Sequence, residues 1–450
     1  MLLERHGVNP NKPDNDGQTP LWCAAYSGHV EVVKMLLERD EVNPDNPDNN
    51  GETPLLCAAG NGHVEVVKFL LERDEVNSDK PDNNGQTPLW CAAFDGHVEV
   101  VKMLLERDEV NPNKPDKIGR TPLLYAAGKG HVEVVKMLLE WDKINPDQPD
   151  NNGRTPLYAA AWNGQGEVVK MLLERDEVNP NKPDNDGKAP LWMTAFKGYE
   201  RVVKMLLEQG EVNPDKPDNS GDTPLIVAAL NGQAGVVKML LEQGEVNPDK
   251  PNSNCRTPLM AAASGGHAGV IKIPPKQGGA SPDKADIGGQ TPLWHAASQG
   301  HAGVVKMLLE LDEVNPDKPD NDGRTPLQCA AWNGHVEIVK ILLERDDVDP
   351  NRPDNNCRTP LSWATEFRHT GVVEMILQRC SLSQDIAMTH PTDQIAPTRR
   401  SARVAKRRLA DHVSVPQSAG SHNPIEFSPP APSESSRRRS KRIRRSRYSR

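Results

Sequence analysis

Seven cysteines, 13 histidines and 63 Asp and Glu side chains supply raw material for metal, redox or acid–base chemistry. Their spacing argues against all three. Cys23, Cys57, Cys91 and Cys329 occupy one position of a 34-residue period. His29, His63, His97, His131, His267, His301 and His335 occupy another. Matching helices of neighbouring units pack with axes about 8–10 Å apart, too far for their thiols to share a disulfide or a zinc ion. The cysteines therefore read as small core residues in a reducing compartment, and the histidines, at a helix start, as capping or surface groups. Asp14, Asp16 and Gly17 echo a calcium loop, but Lys12 stands at the first ligand position and Cys23 where the closing Glu belongs. Pairs such as Asp40-Glu41 and Asp108-Glu109 recur beside turns, the pattern of a solvated edge. A phosphate-cradling glycine loop, a nucleophile elbow and an HExxH pair are all missing. The reading is a protein without a catalytic, cofactor or metal site, and no enzyme.

What positions these residues is a repeat. Thr-Pro-Leu recurs every 34 residues, at Thr19, Thr53, Thr87, Thr121, Thr155, Thr223, Thr257, Thr291, Thr325 and Thr359, with Ala189 replacing Thr in the sixth of eleven copies. A Thr hydroxyl caps free N–H groups, and Pro at the first helical position sacrifices no hydrogen bond. Leu21, Cys23, Ala24 and Ala25 then form a short helix that Gly28 ends in a left-handed conformation. A second helix follows, with Val32, Val33, Leu36 and Leu37 as its apolar stripe. From Asn43 to Gly51 the chain is dense in Pro, Asn, Asp and Gly, which set turns. Each unit is helix, turn, helix, hairpin-like loop.

The motif TPLxxAA, then GHVEVVKxLLE, then VN before a polar turn with D-x-x-G, closely resembles the ankyrin repeat over roughly residues 1–380. A period of 34 is the usual tetratricopeptide length, but no copy carries that family's tryptophan-glycine-tyrosine pattern. Relative to the ankyrin family, the unit is one residue shorter between Glu38 and Val42 and its Pro-bearing loop two residues longer. The family's His after TPL is absent: Trp22, Leu56, Trp90, Leu124, Tyr158, Trp192, Ile226, Met260, Trp294, Gln328 and Ser362 stand there, which puts the hydrogen bond of that His in doubt. The Pro/Asn-rich style resembles arrays at the C-terminal end of large fungal receptor-like proteins. The resemblance implies an all-α ankyrin-repeat solenoid of helix-turn-helix units joined by hairpin-like loops.

Along the chain, residues 1–18 form a truncated unit, since Met1 aligns with Met35 inside a second helix. Either a fragment of a longer protein or a frayed first unit fits that start. Residues 19–254 form a regular block. Residues 255–288 form an irregular unit in which Ile273-Pro274-Pro275-Lys276 replaces Met-Leu-Leu-Glu, each interior Pro disfavouring helix by about 3 kcal/mol. A weak seam is expected near residues 270–285. Cys255 in this unit and Cys357 in the last replace the turn Gly, where positive φ strains any side chain. Residues 289–380 form a second block ending in a degenerate unit, and residues 381–450, rich in Ser, Pro, Ala and Arg, read as a disordered tail.

Charge divides at the same place. Residues 381–450 hold 15 Lys and Arg against 5 Asp and Glu, a net of +10, so the remainder carries −19 and the whole −9. Arg437, Arg438, Arg439, Lys441, Arg442, Arg444 and Arg445 form the denser of two basic clusters, a candidate nuclear-import signal recognised by an import receptor through charge, or a phosphate and nucleic-acid contact. Docking of the tail on its own acidic array is a third reading, and phosphorylation of Ser440 or Ser446 would weaken any of the three. Only Phe427 and Tyr448 offer tail rings for base stacking, which argues against sequence-specific RNA reading. With no membrane-length apolar run, secretory signal or N-x-S/T acceptor, the sequence reads as soluble and intracellular, nuclear or else cytoplasmic, and without membrane contact.

Recognition by surface remains. In ankyrin proteins partners usually bind the concave face of first helices and loop tips, where the position after the Ala pair commonly points. Here it varies amid near-identical neighbours, and Tyr26, Phe94, Trp162, Phe196 and Trp332 are its large rings. The position before Thr varies too, with Arg120, Arg154, Lys188 and Arg324. Trp, Tyr and Arg tend to dominate binding energy; the competing reading packs these rings between repeats. The expected function is a monomeric, non-catalytic protein-binding scaffold. Two alternatives stand beside it: a nucleic-acid-associated regulator acting through the tail, and the sensor fragment of a larger receptor.

Overall fold

The computed structural model describes residues 9–273, 281–311 and 313–389, with side chains to Ser381. All regular structure among them is helical. The first unit sets the pattern with helices Pro20–Ser27 and Val30–Leu37. Ten Thr hydroxyls accept the backbone N–H three residues on, at 3.1–3.3 Å, and Pro follows each. Such caps contribute about 1 kcal/mol apiece. Ala189 holds the same extended backbone without that bond.

Second helices turn Val66, Val67 and Leu70, and most of their equivalents, inward against the Leu and Ala pair of the first helices, while Val32, expected in the same stripe, is exposed in the first unit. Each fully buried Val or Leu stabilises by about 1.5–3 kcal/mol. Gly28 ends its helix at φ +73, and a Cβ there would meet the ring of His63 at 2.5 Å, so both conformation and contact require glycine. Successive first helices pack more closely than successive second helices do.

The loops form a ladder of their own. An Asp side chain closes an Asx turn in the hairpins, as where Asp48 Oδ1 accepts Asn50 N at 2.8 Å and Glu52 N at 2.9 Å; in the eighth unit the Asn252 amide oxygen takes its place. The next hairpin bonds to this one through backbone and side chain, Asn83 N to Asn50 O at 2.8 Å and Asn83 Nδ2 to Asn49 O at 3.1 Å. The Pro-bearing stretch adds a second ladder: Lys80 Nζ reaches Asp45 Oδ2 at 2.8 Å and its carbonyl at 2.9 Å, and Lys114–Asp79, Lys182–Asp147 and Arg352–Asp317 repeat the contact at a 35-residue offset. Half-exposed pairs of this kind are worth about 0.2–1 kcal/mol each, and their repetition supports the longer loop.

The eighth unit differs. Its second helix is Ala268–Ile271, four residues where its siblings have eight. The apolar core divides into two clusters that meet inside this unit, the first reaching Val270 and the second starting at Ala263, with Ile271 packed against both. Pro274 and Pro275 lie outside the described residues. Cys255, Cys357 and Arg368 adopt φ +58, +62 and +59, so three left-handed turns among the described residues are made without glycine.

The last helix extends beyond the array boundary read from the sequence. It runs Thr370–Thr389, past Cys380 and into the segment read as tail. No Pro or Gly occurs between Val372 and His390, and helical periodicity needs no further repeat to continue. The expectation of a disordered tail otherwise falls on residues 390–450, outside the described residues.

Candidate functional site

The inner side is built from first helices and hairpin tips. Tyr26, Phe94, Trp162, Phe196 and Trp332 all lie there half-buried, each near the end of its first helix. They are held, not free. Tyr26 stacks on Trp22 at 5.2 Å and Phe196 on Trp192 at 5.7 Å, one helical turn back. Phe94 stacks on Trp90 at 5.4 Å and meets the next repeat's Tyr125 edge-on at 5.1 Å. Trp332 stacks on Trp363 of the next repeat at 5.0 Å. Phe94 and Trp332 thus pack between repeats, while Trp162, packed on the edge of the apolar core, has no ring neighbour among the described residues and lies beneath Lys197, whose Nζ is 4.4 Å from its centroid.

The cations before Thr are also positioned. Arg154 donates to Asp150 Oδ2 at 2.7 Å, and Arg120 lies 3.8 Å from the same oxygen while bonding the Tyr125 hydroxyl. Lys188 pairs with Asp186 at 3.1 Å and sits 5.3 Å above Trp192. Arg324 pairs with Asp322 at 3.3 Å and sits 5.2 Å from Trp332. Burial raises the pKa of Tyr125 despite the guanidinium beside it, and raises that of Tyr158, whose hydroxyl donates to Asp184 at 2.8 Å. Both phenols stay neutral at any physiological pH, Tyr158 donating to its carboxylate and Tyr125 accepting from Arg120.

Sequence reasoning missed Lys129, Lys197 and Arg358. Lys129 Nζ lies 4.6 Å over Phe94, and Arg358 lies 4.4 Å over Trp363. The signal was available: Phe94 to Lys129 and Trp162 to Lys197 share the 35-residue offset of the loop ladder. The seven arginines and lysines at 437–445 lie outside the described residues.

Three rows need correction. His63, His131 and His335 neither cap their helices nor point to solvent: each carries a half-buried ring whose Nε2 donates to the carbonyl of the residue 37 positions earlier, at 3.0 Å, whereas His29 is exposed, as the surface reading expects. Each such imidazole serves two repeats at once, and the accepting carbonyl belongs to the varied inner-face row. The position lacking the family's His still hydrogen-bonds across repeats, because Trp22, Trp90 and Trp192 donate their indole N–H to the carbonyls of Glu52, Arg120 and Asp222 at 2.9–3.1 Å. Gln328 does the same toward Arg358 at 2.9 Å. Cys57, Cys91 and Cys329 are buried, but Cys23 is exposed. Cys91 clusters with Leu56 of the preceding first helix, and among the described residues no first helix precedes that of Cys23.

Among the described residues no group of three or more His, Cys, Asp or Glu side chains is placed to hold a metal ion, and no helix is long and apolar enough to cross a membrane. A comparison with curated proteins finds no match. A family model described as ankyrin repeats, in three copies, matches residues 40–116, 109–184, 176–252, 244–318 and 313–387, and the single ankyrin-repeat model matches residues 16–49. Capped helix pairs, the hairpin ladder and these matches over most of the length agree that the chain belongs to the ankyrin-repeat family.

Proposed function

We propose that this chain is a non-catalytic scaffold that holds a partner protein on the inner face of its first helices and hairpin tips. Ankyrin repeats are protein-interaction modules, and one observation supports this face: large rings and cations vary there, while the buried rows around them stay nearly constant. Trp162 is the best reporter, since it contacts a lysine and no ring. Trp162→Ala is expected to cut capture of partner proteins from a native extract while leaving the unfolding midpoint nearly unchanged. Phe94→Ala is expected to lower both, because it also loses Trp90 and Tyr125. A Trp162→Ala chain that loses stability and keeps its partners would make the ring structural and overturn the assignment.

The basic clusters serve as an address in this reading, with nuclear import through Lys441-Arg442-Ile443-Arg444 supported by the charge of residues 381–450. Replacing Arg437, Arg438, Arg439, Lys441, Arg442, Arg444 and Arg445 by Gln should move the protein from nucleus to cytoplasm without releasing array-bound partners. Release of partners by this change, or by nuclease, would favour nucleic-acid binding through the tail instead.

A further inference from the structure

We infer that the inner face of the fourth to sixth repeats takes an extended acidic peptide segment of the partner, with carboxylates at every third residue. This names a ligand class for the face proposed above and rests on that reading. The chain before residue 381 carries a net charge of −19, yet this stretch presents Arg120, Lys129, Arg154, Lys188 and Lys197. Arg120 and Arg154 share one carboxylate, Asp150, whose side chain is fully buried and already accepts the N–H groups of Asn152 and Arg154 at 2.9 and 3.0 Å. Arg120 also interacts with the turn carboxylate Asp116, and Asp184 lies at Tyr158, which Arg154 also influences. Lys129 and Lys197 rest on the faces of Phe94 and Trp162, which attract an ammonium without neutralising it. The exposed carboxylates nearby are Asp95, and Asp186 beside Lys188.

Spacing sets the ligand. Adjacent repeats lie about 8–10 Å apart, and an extended chain advances about 3.3–3.6 Å per residue. One repeat therefore spans about three residues, so a strand along the array meets a new cation at each third position. Residues between them reach the rings of Trp162 and Phe196. In the next three repeats the ring row becomes Leu230, Ser264 and Ser298, and Asp222 and Gln290 enter the cation row. The alternation ends there.

The test uses the full chain and two fluorescein-labelled peptides of equal composition, one repeating Asp-Gly-Ser and one with its aspartates contiguous, followed by anisotropy at low and raised salt. The spaced peptide should bind about tenfold tighter than its isomer, and Lys129→Glu with Lys197→Glu should weaken it about tenfold or more while leaving the melting curve in place. Lys129→Gln with Lys197→Gln should give an intermediate loss, which guards against misfolding of the reversed pair. Equal binding of the two peptides, or a loss that follows neutralisation of Arg437, Arg438 and Arg439 instead of the inner face, overturns the inference. If the lysine changes leave natural partners bound while Trp162→Ala releases them, the binding face stands and the acidic class falls. If neither change matters, both fall.

Discussion

The second helices of the seventh and eighth repeats open on nearly the same residues, Ala234-Gly235-Val236-Val237-Lys238 and Ala268-Gly269-Val270-Ile271-Lys272, yet the first runs Ala234–Leu241 and the second stops at Ile271. Met-Leu-Leu continues the one and Ile-Pro-Pro the other, so three residues outside the shared stretch decide where helix ends. The interruption is one-sided. First helices on both sides of the eighth repeat pack closely, and the hairpin ladder crosses it intact, Ser253 N to Ser220 O at 3.0 Å and Ile287 N to Asn254 O at 3.1 Å. The buried apolar core divides at this repeat while the first helices and the hairpins continue across it.

The largest way to break this contrast is to exchange the endings. Pro274→Leu with Pro275→Leu should stabilise the eighth repeat by several kcal/mol, since each Pro costs a helix about 3 kcal/mol, and should merge two denaturant transitions into one. Leu240→Pro with Leu241→Pro should create a second seam and split the long block. A single transition in the parent chain, unmoved by either exchange, would show that the two core clusters unfold together despite the short helix.

Smaller changes sharpen the same comparison. Cys255→Gly should gain about 1 kcal/mol by relieving a left-handed residue. Ala189→Thr should gain about 1 kcal/mol by restoring the missing cap, and this gain should appear in the transition of the long block alone. Gains confined to the opposite block would mean that the two blocks are not the units of unfolding.

The smallest effect concerns two turn carboxylates in adjacent repeats. Burial pushes the pKa of Asp286 up, but the hydrogen bond from His295 at 3.1 Å and the turn amides outweigh it, leaving it below the ordinary value. Asp320 has similar amides and no histidine, and burial raises it. A depressed carboxyl contributes stability that is present above its unfolded pKa and lost as pH falls through its folded pKa; a raised one contributes below its unfolded value and loses it as pH rises through the folded value. His295→Ala should therefore weaken the acid sensitivity of the C-terminal block, and Asp320→Asn should flatten its loss between acid and neutral pH. Guanidinium midpoints from pH 3 to 7 check both signs, and identical pH profiles for the two variants would refute the pairing.

Read alone, the sequence determined the repeat, its caps, its glycine turns and its core stripe, because each depends on chemistry within a few residues: a Thr hydroxyl three residues from an N–H, a Pro at a helix start, a Val-Leu row at helical period. It also located Cys255 and Cys357 in left-handed turns. What only the tertiary structure decided lies between repeats. The histidine-to-carbonyl bonds span 37 residues, the Lys80–Asp45 ladder 35 and the indole bonds 30, so no local pattern distinguishes a side chain that reaches its neighbour from one that faces water. The same reason governs the inner face. Phe94 and Trp162 occupy one position of the repeat, but the next repeat sets Tyr125 beside the first ring and has Met193 at the matching position after the second, so only the packing of adjoining helices decides which ring gains a ring partner.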